Sequence, residues 1–231
     1  MRKRIIPVAL LVCLGLMMLI VYAAHPLFTD LRPERGPSGD AVIVISGDMG
    51  FRTGLSPELA KRIAARGRYV VGVNSLRFAW RKRTPAEISR LLESAVDRAL
   101  TRSGARRVVL IGQSYGADLV HVGSIGLRQA ARDKIAAVVL VVPTTDVYYG
   151  IGPLEYLGWG SADAKALDTA RQLRWAPLTC IYGRQESDSV CPSLGGTNLR
   201  RIALPGDHYL QHDPDRLFAA VWPAIRRAEG Q

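Results

Sequence analysis

The 231 residues carry 31 Lys and Arg against 20 Asp and Glu, a formal net charge of +11 at pH 7. Arg2, Lys3 and Arg4 open the chain; without them 28 bases face 20 acids, or +8. The bases are mostly Arg, scattered through helical patterns and not clustered with aromatic residues, so no nucleic-acid module is expected; they read first as solvated faces, with an anionic membrane surface as the alternative partner.

After the basic start, Ile5 to Ala24 carries no charge, the pattern of a secretory signal or an N-terminal membrane anchor. Its length lies near the ~20 residues that span a bilayer, so hydropathy leaves both readings open. Val21 and Ala23 put small residues ahead of a cleavage after Ala23 and favour removal. Either way the rest is expected in the periplasm, exported or tethered to the inner membrane. Residues 25–40 are rich in Pro, Gly and charge and read as a linker. The remainder, 41–231, has the length of one well-buried domain. Cys13 belongs to the leader, which leaves Cys180 and Cys191 as an even pair in an exported chain, and so a disulfide. No His or further Cys stands at metal-ligand spacing, and neither metal nor cofactor is expected.

Within the domain, apolar runs of strand length alternate with helical patterns. Ala41–Ile45 is a continuous run rich in β-branched residues, as a parallel strand buried on both faces requires. Tyr69–Val73, Arg107–Ile111, Ala136–Val142, Leu178–Tyr182 and Arg201–Leu204 follow. Between them, Ser56 precedes Pro57 as a helix cap, and Thr84-Pro85-Ala86-Glu87 is a capping box. The apolar stripe of Ile88, Leu91, Leu92, Ala95, Val96 and Leu100 continues that second helix. A last helix begins near Pro214. The alternation predicts an α/β fold, a mostly parallel sheet of about six strands with helices on both faces. Pro143 to Pro177 interrupts it with many Tyr, Leu and Trp residues and is read as a short cap.

Gly112-Gln113-Ser114-Tyr115-Gly116 is a G-x-S-x-G string, weak by itself. Here it stands between the strand ending at Ile111 and a helix beginning at Ala117, the strand–turn–helix setting of a nucleophile elbow in the α/β-hydrolase fold. Ser114 is therefore the expected nucleophile. Among four histidines, His25 lies in the linker, and His121 sits two turns along the helix from Ser114, out of hydrogen-bond reach. His208 follows the last strand, where the order Ser, acid, His places the base; His212 is the reserve. The acid is expected after Leu178–Tyr182. Asp188 is the first choice, Glu186 the second and Asp146, after the preceding strand, a distant third. A Cys180–Cys191 bridge would close a loop around Asp188 and contribute roughly 2–3 kcal/mol. The oxyanion hole is expected from the backbone N–H of Tyr115 with that of Asp48 or Met49. The Asp48 side chain is also placed to attract a cationic acyl group.

These segments in this order resemble the VirJ/AcvB family of bacterial virulence-associated periplasmic α/β-hydrolases. The resemblance runs from Ala41 to about Leu217. It rests on Ser46-Gly47-Asp48, Trp80-Arg81-Lys82-Arg83-Thr84-Pro85, Gly112 to Asp118, Cys180-Ile181-Tyr182-Gly183 with Glu186 and Cys191, and Leu204-Pro205-Gly206-Asp207-His208. Three positions in two segments depart from the family's usual pattern. Met49 and Phe51 stand where Gly and Trp are usual, and Tyr209 stands where a second His is expected. The resemblance implies hydrolysis of aminoacylated phosphatidylglycerol, notably lysyl-phosphatidylglycerol, by Ser114, with Asp48 or Asp118 meeting the substrate's ammonium group. It also implies a link with secretion-system components. The alternatives are a periplasmic esterase or thioesterase for a soluble substrate, or a binding factor on a hydrolase fold.

Overall fold

The computed structural model describes residues 25–151 and 161–230. The leader and part of the cap segment, residues 152–160, lie outside the described residues. None of the described helices is long and apolar enough to cross a membrane.

Among the described residues, seven strands form one sheet: β1 (Phe28–Leu31), β2 (Ala41–Ile45), β3 (Val70–Val73), β4 (Val108–Gln113), β5 (Ile135–Val141), then two beyond the cap. The cap segment contributes a two-residue ribbon, β6 (Asp146–Val147) with β7 (Ala164–Lys165), and the main sheet is completed by β8 (Leu178–Gly183) and β9 (Leu199–Leu204). Their order is β1-β3-β2-β4-β5-β8-β9. Within this sheet all pairings are parallel except β1 with β3, and the β6–β7 ribbon is antiparallel. The additional strand, β1, comes from the segment read as a linker. Four residues between Pro and Gly carry too little pattern to announce a strand; pairing along the free edge of β3 makes one.

Seven described helices surround the sheet: α1 (Leu55–Ala65), α2 (Ser75–Ala79), α3 (Pro85–Ser103), α4 (Tyr115–Ile125), α5 (Gln129–Arg132), α6 (Ala166–Ala170) and α7 (Pro214–Ala228). The pleat of β2 divides the core: Ile43 and Ile45 join one apolar cluster with α3 and α4, Val42 and Val44 the other with α1 and α7. Leu217, Val221 and Ile225 of α7 are fully buried in the second cluster, each worth about 1.5–3 kcal/mol. Thr84 forms the expected capping box with Glu87 on α3. Ser56, by contrast, is not a cap: α1 begins a residue earlier behind Gly54, and the Ser56 hydroxyl instead reaches the side chain of Gln113 at 2.5 Å. A tertiary partner outcompetes the local one.

β2 has β3 on one side and β4 on the other, so successive crossovers leave it in opposite directions. A crevice opens at the carboxyl ends of strands at such a switch point. The loop after β2 and the turn after β4 meet there.

Candidate functional site

Ser114 is the residue between β4 and α4, with φ 51° and ψ −124°. A non-glycine residue at positive φ carries strain that only surrounding packing sustains. Gly112 and Gly116 make the turn possible by close approach. A Cβ on Gly112 would stand 2.3 Å from the Gly116 carbonyl oxygen, and one on Gly116 would stand 2.4 Å from those of Ile45 and Ser46. The turn is therefore wedged against the end of β2. Among the described residues, the other non-glycine positive φ values fall at Val142 and at Leu210, Gln211 and His212. All of them follow the carboxyl ends of strands, so backbone strain gathers on the edge that holds Ser114.

The Ser114 hydroxyl lies 2.8 Å from Nε2 of His208. Nδ1 of the same ring lies 2.6 Å from Oε1 of Glu186. The carboxylate against the imidazole is thus Glu186, the second choice from sequence, and not Asp188. The physical reason is a tight turn. The Glu186 amide donates to the Gly183 carbonyl at 3.1 Å, and the Glu186 carboxylate accepts from the Gly183 amide at 3.3 Å, which folds the longer side chain back under the imidazole. Backbone pairing holds this loop to the His208 loop: Gln185 donates to the Gly206 carbonyl at 3.0 Å, and Gly206 donates to the Gln185 side chain at 2.7 Å. The Glu186 side chain is only 1% exposed. Asp188, two residues on, is exposed.

Hydrogen bonding to Glu186 raises the pKa of His208 above its ordinary value of 6.5, against the opposing effect of burial; the charges of Glu186, Asp188 and Asp118 add to the rise. Asp188 therefore acts on the base through space. Donor atoms of Glu186, Asp188 and His208 lie within 4.8 Å of one another. Their closest pair is already spent on the 2.6 Å bond, which suits a catalytic dyad better than an open ligand set.

The remaining histidines fall as their positions required. His121 is fully buried, with Nε2 3.3 Å from Asp118 and Nδ1 2.8 Å from the Thr169 hydroxyl. His212 stacks on Tyr209, and His25 bonds Arg52. Asp146, the third acid considered, pairs with Lys165.

Tyr115 supplies the first amide of α4, where the helix N-terminus favours negative charge. The loop after β2 runs beside Ser114: a Cβ on Gly47 would lie 3.4 Å from that of Ser114. The Gly50 amide closes a turn onto the Gly47 carbonyl at 3.0 Å, with Asp48 and Met49 at its centre. Sequence reasoning missed what braces this loop. Ser75, opening α2, donates its amide to the Ser46 hydroxyl at 3.2 Å and its hydroxyl to the Gly47 carbonyl. A buried serine pair from two separate loops leaves no local signal.

Over Ser114 lies a cavity of about 460 Å³, with Tyr148 and Ile151 in its wall. Four carboxylates line it, Asp48, Asp118, Asp146 and Asp188, and no Lys or Arg does so among the described residues. Asp118 is 4% exposed and accepts from the Thr144 hydroxyl at 3.2 Å. Burial pushes its carboxyl up, opposed by the hydrogen bond and charge of His121. Cys180 and Cys191 are joined as expected, their Cα atoms 5.6 Å apart. The bridge ties the end of the acid loop to the interior of β8.

The fold has many relatives of low sequence similarity. An esterase of Butyrivibrio proteoclasticus, Est1E with ferulic acid bound, superposes with a TM-score of 0.64 at 14% identity over 88% of this chain and 95% of its own. The lipase BlEst2 of Bacillus licheniformis gives 0.61 at 11% identity over 86% and 97%. Proline iminopeptidase of Mycobacterium smegmatis gives 0.58 at 14% identity over 87% and 94%. These likenesses establish the α/β-hydrolase fold. No curated protein sequence matches the chain. The model of the bacterial virulence protein family VirJ, however, matches residues 40–229. Spanning nearly all of the described residues, that match places the chain in the VirJ family of bacterial virulence proteins.

Proposed function

We propose that the chain is a periplasmic serine ester hydrolase that cleaves the aminoacyl ester of lysyl-phosphatidylglycerol-type lipids. One observation carries the reading: the Ser114–His208–Glu186 chain of hydrogen bonds opens into a cavity lined by four aspartates, of which Asp146 is already paired with Lys165. The hydrogen-bonded chain supplies a nucleophile, and the aspartates select the acyl group. A protonated amine entering among them gains charge attraction in a partly desolvated site, whereas an anionic acyl group is repelled.

In this mechanism Ser114 Oγ attacks the ester carbonyl carbon and its proton passes to Nε2 of His208. Glu186 holds Nδ1–H, which sets the tautomer and stabilises the imidazolium. The oxyanion is met by the amide of Tyr115 and that of Asp48 or Met49. Collapse of the intermediate breaks the acyl–oxygen bond, and His208 returns the proton to the leaving glycerol oxygen. Water, activated by the same imidazole, then frees the amino acid and restores Ser114. Asp48 and Asp118 receive the ammonium group.

The test incubates the purified chain and its Ser114→Ala variant with lysyl-phosphatidylglycerol, with simple acyl esters and with a fluorophosphonate probe. The reading predicts release of lysine and labelling by the wild type only. Cleavage of simple esters alone would move the assignment to a soluble esterase or thioesterase. Absence of both cleavage and labelling would leave a binding factor for secretion.

A further inference from the structure

We propose that the carboxyl edge of the sheet, the edge that holds Ser114, is a docking surface that seats on a phospholipid bilayer through Met49, Trp80 and Tyr209. As an account of how a lipid ester reaches Ser114 it rests on the proposed function; as a docking surface it stands on separate observations.

The first is the placement of exposed apolar side chains. Among the described residues, five large hydrophobics are exposed: Met49 at 65%, Tyr209 at 60%, Trp80 at 41%, Leu167 at 40% and Ile125 at 39%. The three most exposed share one edge. Met49 follows β2, Trp80 follows the β3–α2 unit and Tyr209 follows β9, so they stand on both sides of Ser114 across the width of the sheet. Ile125 lies at the far end of α4, and Leu167 on α6, beyond the β6–β7 ribbon. Large apolar side chains with polar tips, such as Trp and Tyr, partition to the interfacial layer of a bilayer.

The second is where the chain enters. His25 bonds Arg52, which follows β2, and the Leu27 carbonyl accepts from the amide of Asn74, which follows β3. The described chain therefore begins on the same edge. Immediately before it, with no intervening linker, stands the uncharged stretch Ile5 to Ala24. Each residue spans at most about 3.6 Å, so that stretch, where it is kept as an anchor and not removed, would hold this edge at the bilayer surface; where it is removed, the exposed side chains alone carry the docking.

The opposite edge offers a different kind of contact. Arg32, Arg35, Lys61 and Arg66 line a groove there together with Glu34, a net basic surface for electrostatic adsorption that would turn Ser114 away from the lipid. The two orientations separate by salt, because apolar insertion persists where screened charge attraction fails.

The experiment reconstitutes the full chain in phosphatidylglycerol–phosphatidylcholine vesicles whose acyl chains are brominated near the headgroup. The emission of wild type minus that of Trp80→Phe isolates Trp80. The proposal expects this component to lose at least half its intensity in brominated vesicles, unchanged at ~1 M NaCl. Emission equal to that in unbrominated vesicles, or quenching abolished by salt, overturns it. A second arm uses a Trp80→Ser and Tyr209→Ser double variant. It should cleave vesicle-borne aminoacyl lipid about tenfold more slowly while a water-soluble ester turns over within about twofold of wild type. An equal fall on both substrates also overturns the proposal. Quenching of Trp80 with no lipid cleavage by the wild type leaves the docking surface standing and removes the assigned substrate. Cleavage of detergent-dispersed lipid without quenching does the reverse.

Discussion

The turn that carries Ser114 and the loop that carries Glu186 share one edge of the sheet, yet they are held in place by different means. The serine turn is local: one strand, one helix and two glycines whose missing side chains let it wedge against β2. The glutamate loop has almost no regular structure between Gly183 and Cys191. It is shaped by a reverse turn, by backbone bonds to the His208 loop and by the Cys180–Cys191 bridge. Rigidity built from adjacent residues can be read along the chain, whereas rigidity built from distant contacts cannot.

The largest expected effect comes from the local element. Ser114→Ala should lower ester hydrolysis by about 10⁴-fold or more, with folding intact by circular dichroism. The acid loop is tested next, because the comparison depends on which carboxylate acts. Glu186→Gln should lose about 10³–10⁴-fold in kcat, as removal of the histidine's orienting charge does, whereas Asp188→Asn should lose less than about tenfold. The opposite ranking would restore Asp188 as the acid and break the structural account of the loop.

Stability comes third. Gly116→Ala puts a Cβ 2.4 Å from the backbone oxygens of Ile45 and Ser46, which cannot yield as a flexible side chain does. A loss of about 3 kcal/mol or more in chemical denaturation is expected. Replacing both Cys180 and Cys191 by Ala should remove roughly 2–3 kcal/mol, and it should lower kcat as well because the bridge anchors the acid loop. An unchanged kcat would show that the zipper to the His208 loop suffices.

The smallest effect is in the pH profile. The raised pKa of His208 means that the neutral base forms only above a pH higher than its ordinary 6.5, so kcat/KM should fall as pH drops through that raised value. Asp188→Asn removes one of the charges behind the rise and should move this acid limb to lower pH. For stability the sign is reversed. The proton bound in the folded state stabilises fully below the unfolded pKa, and that contribution disappears as pH rises through the folded one.

Much of this was legible in the chain itself. Apolar runs and capping signals place six of the seven main strands and most of the helices, because a buried parallel strand must be apolar on both faces wherever it lies. The turn at Ser114 and the place of His208 after the last strand follow from motif and order alone. β1 and the role of Ser56 were not legible, since each depends on a partner far away in sequence, the edge of β3 in one case and Gln113 in the other.

The turn at Ser114, the placing of His208 beside it, the Cys180–Cys191 pair and the α/β architecture were thus determined by the sequence alone, because local sterics and chain order suffice for each. The choice of Glu186 over Asp188 was made only by the tertiary structure. So were the assembly of four aspartates from separate segments, two loops, a helix and a short strand, and the gathering of Met49, Trp80 and Tyr209 on one edge. Two carboxylates two residues apart look alike along the chain. They differ only once a turn folds one beneath the imidazole and leaves the other in water.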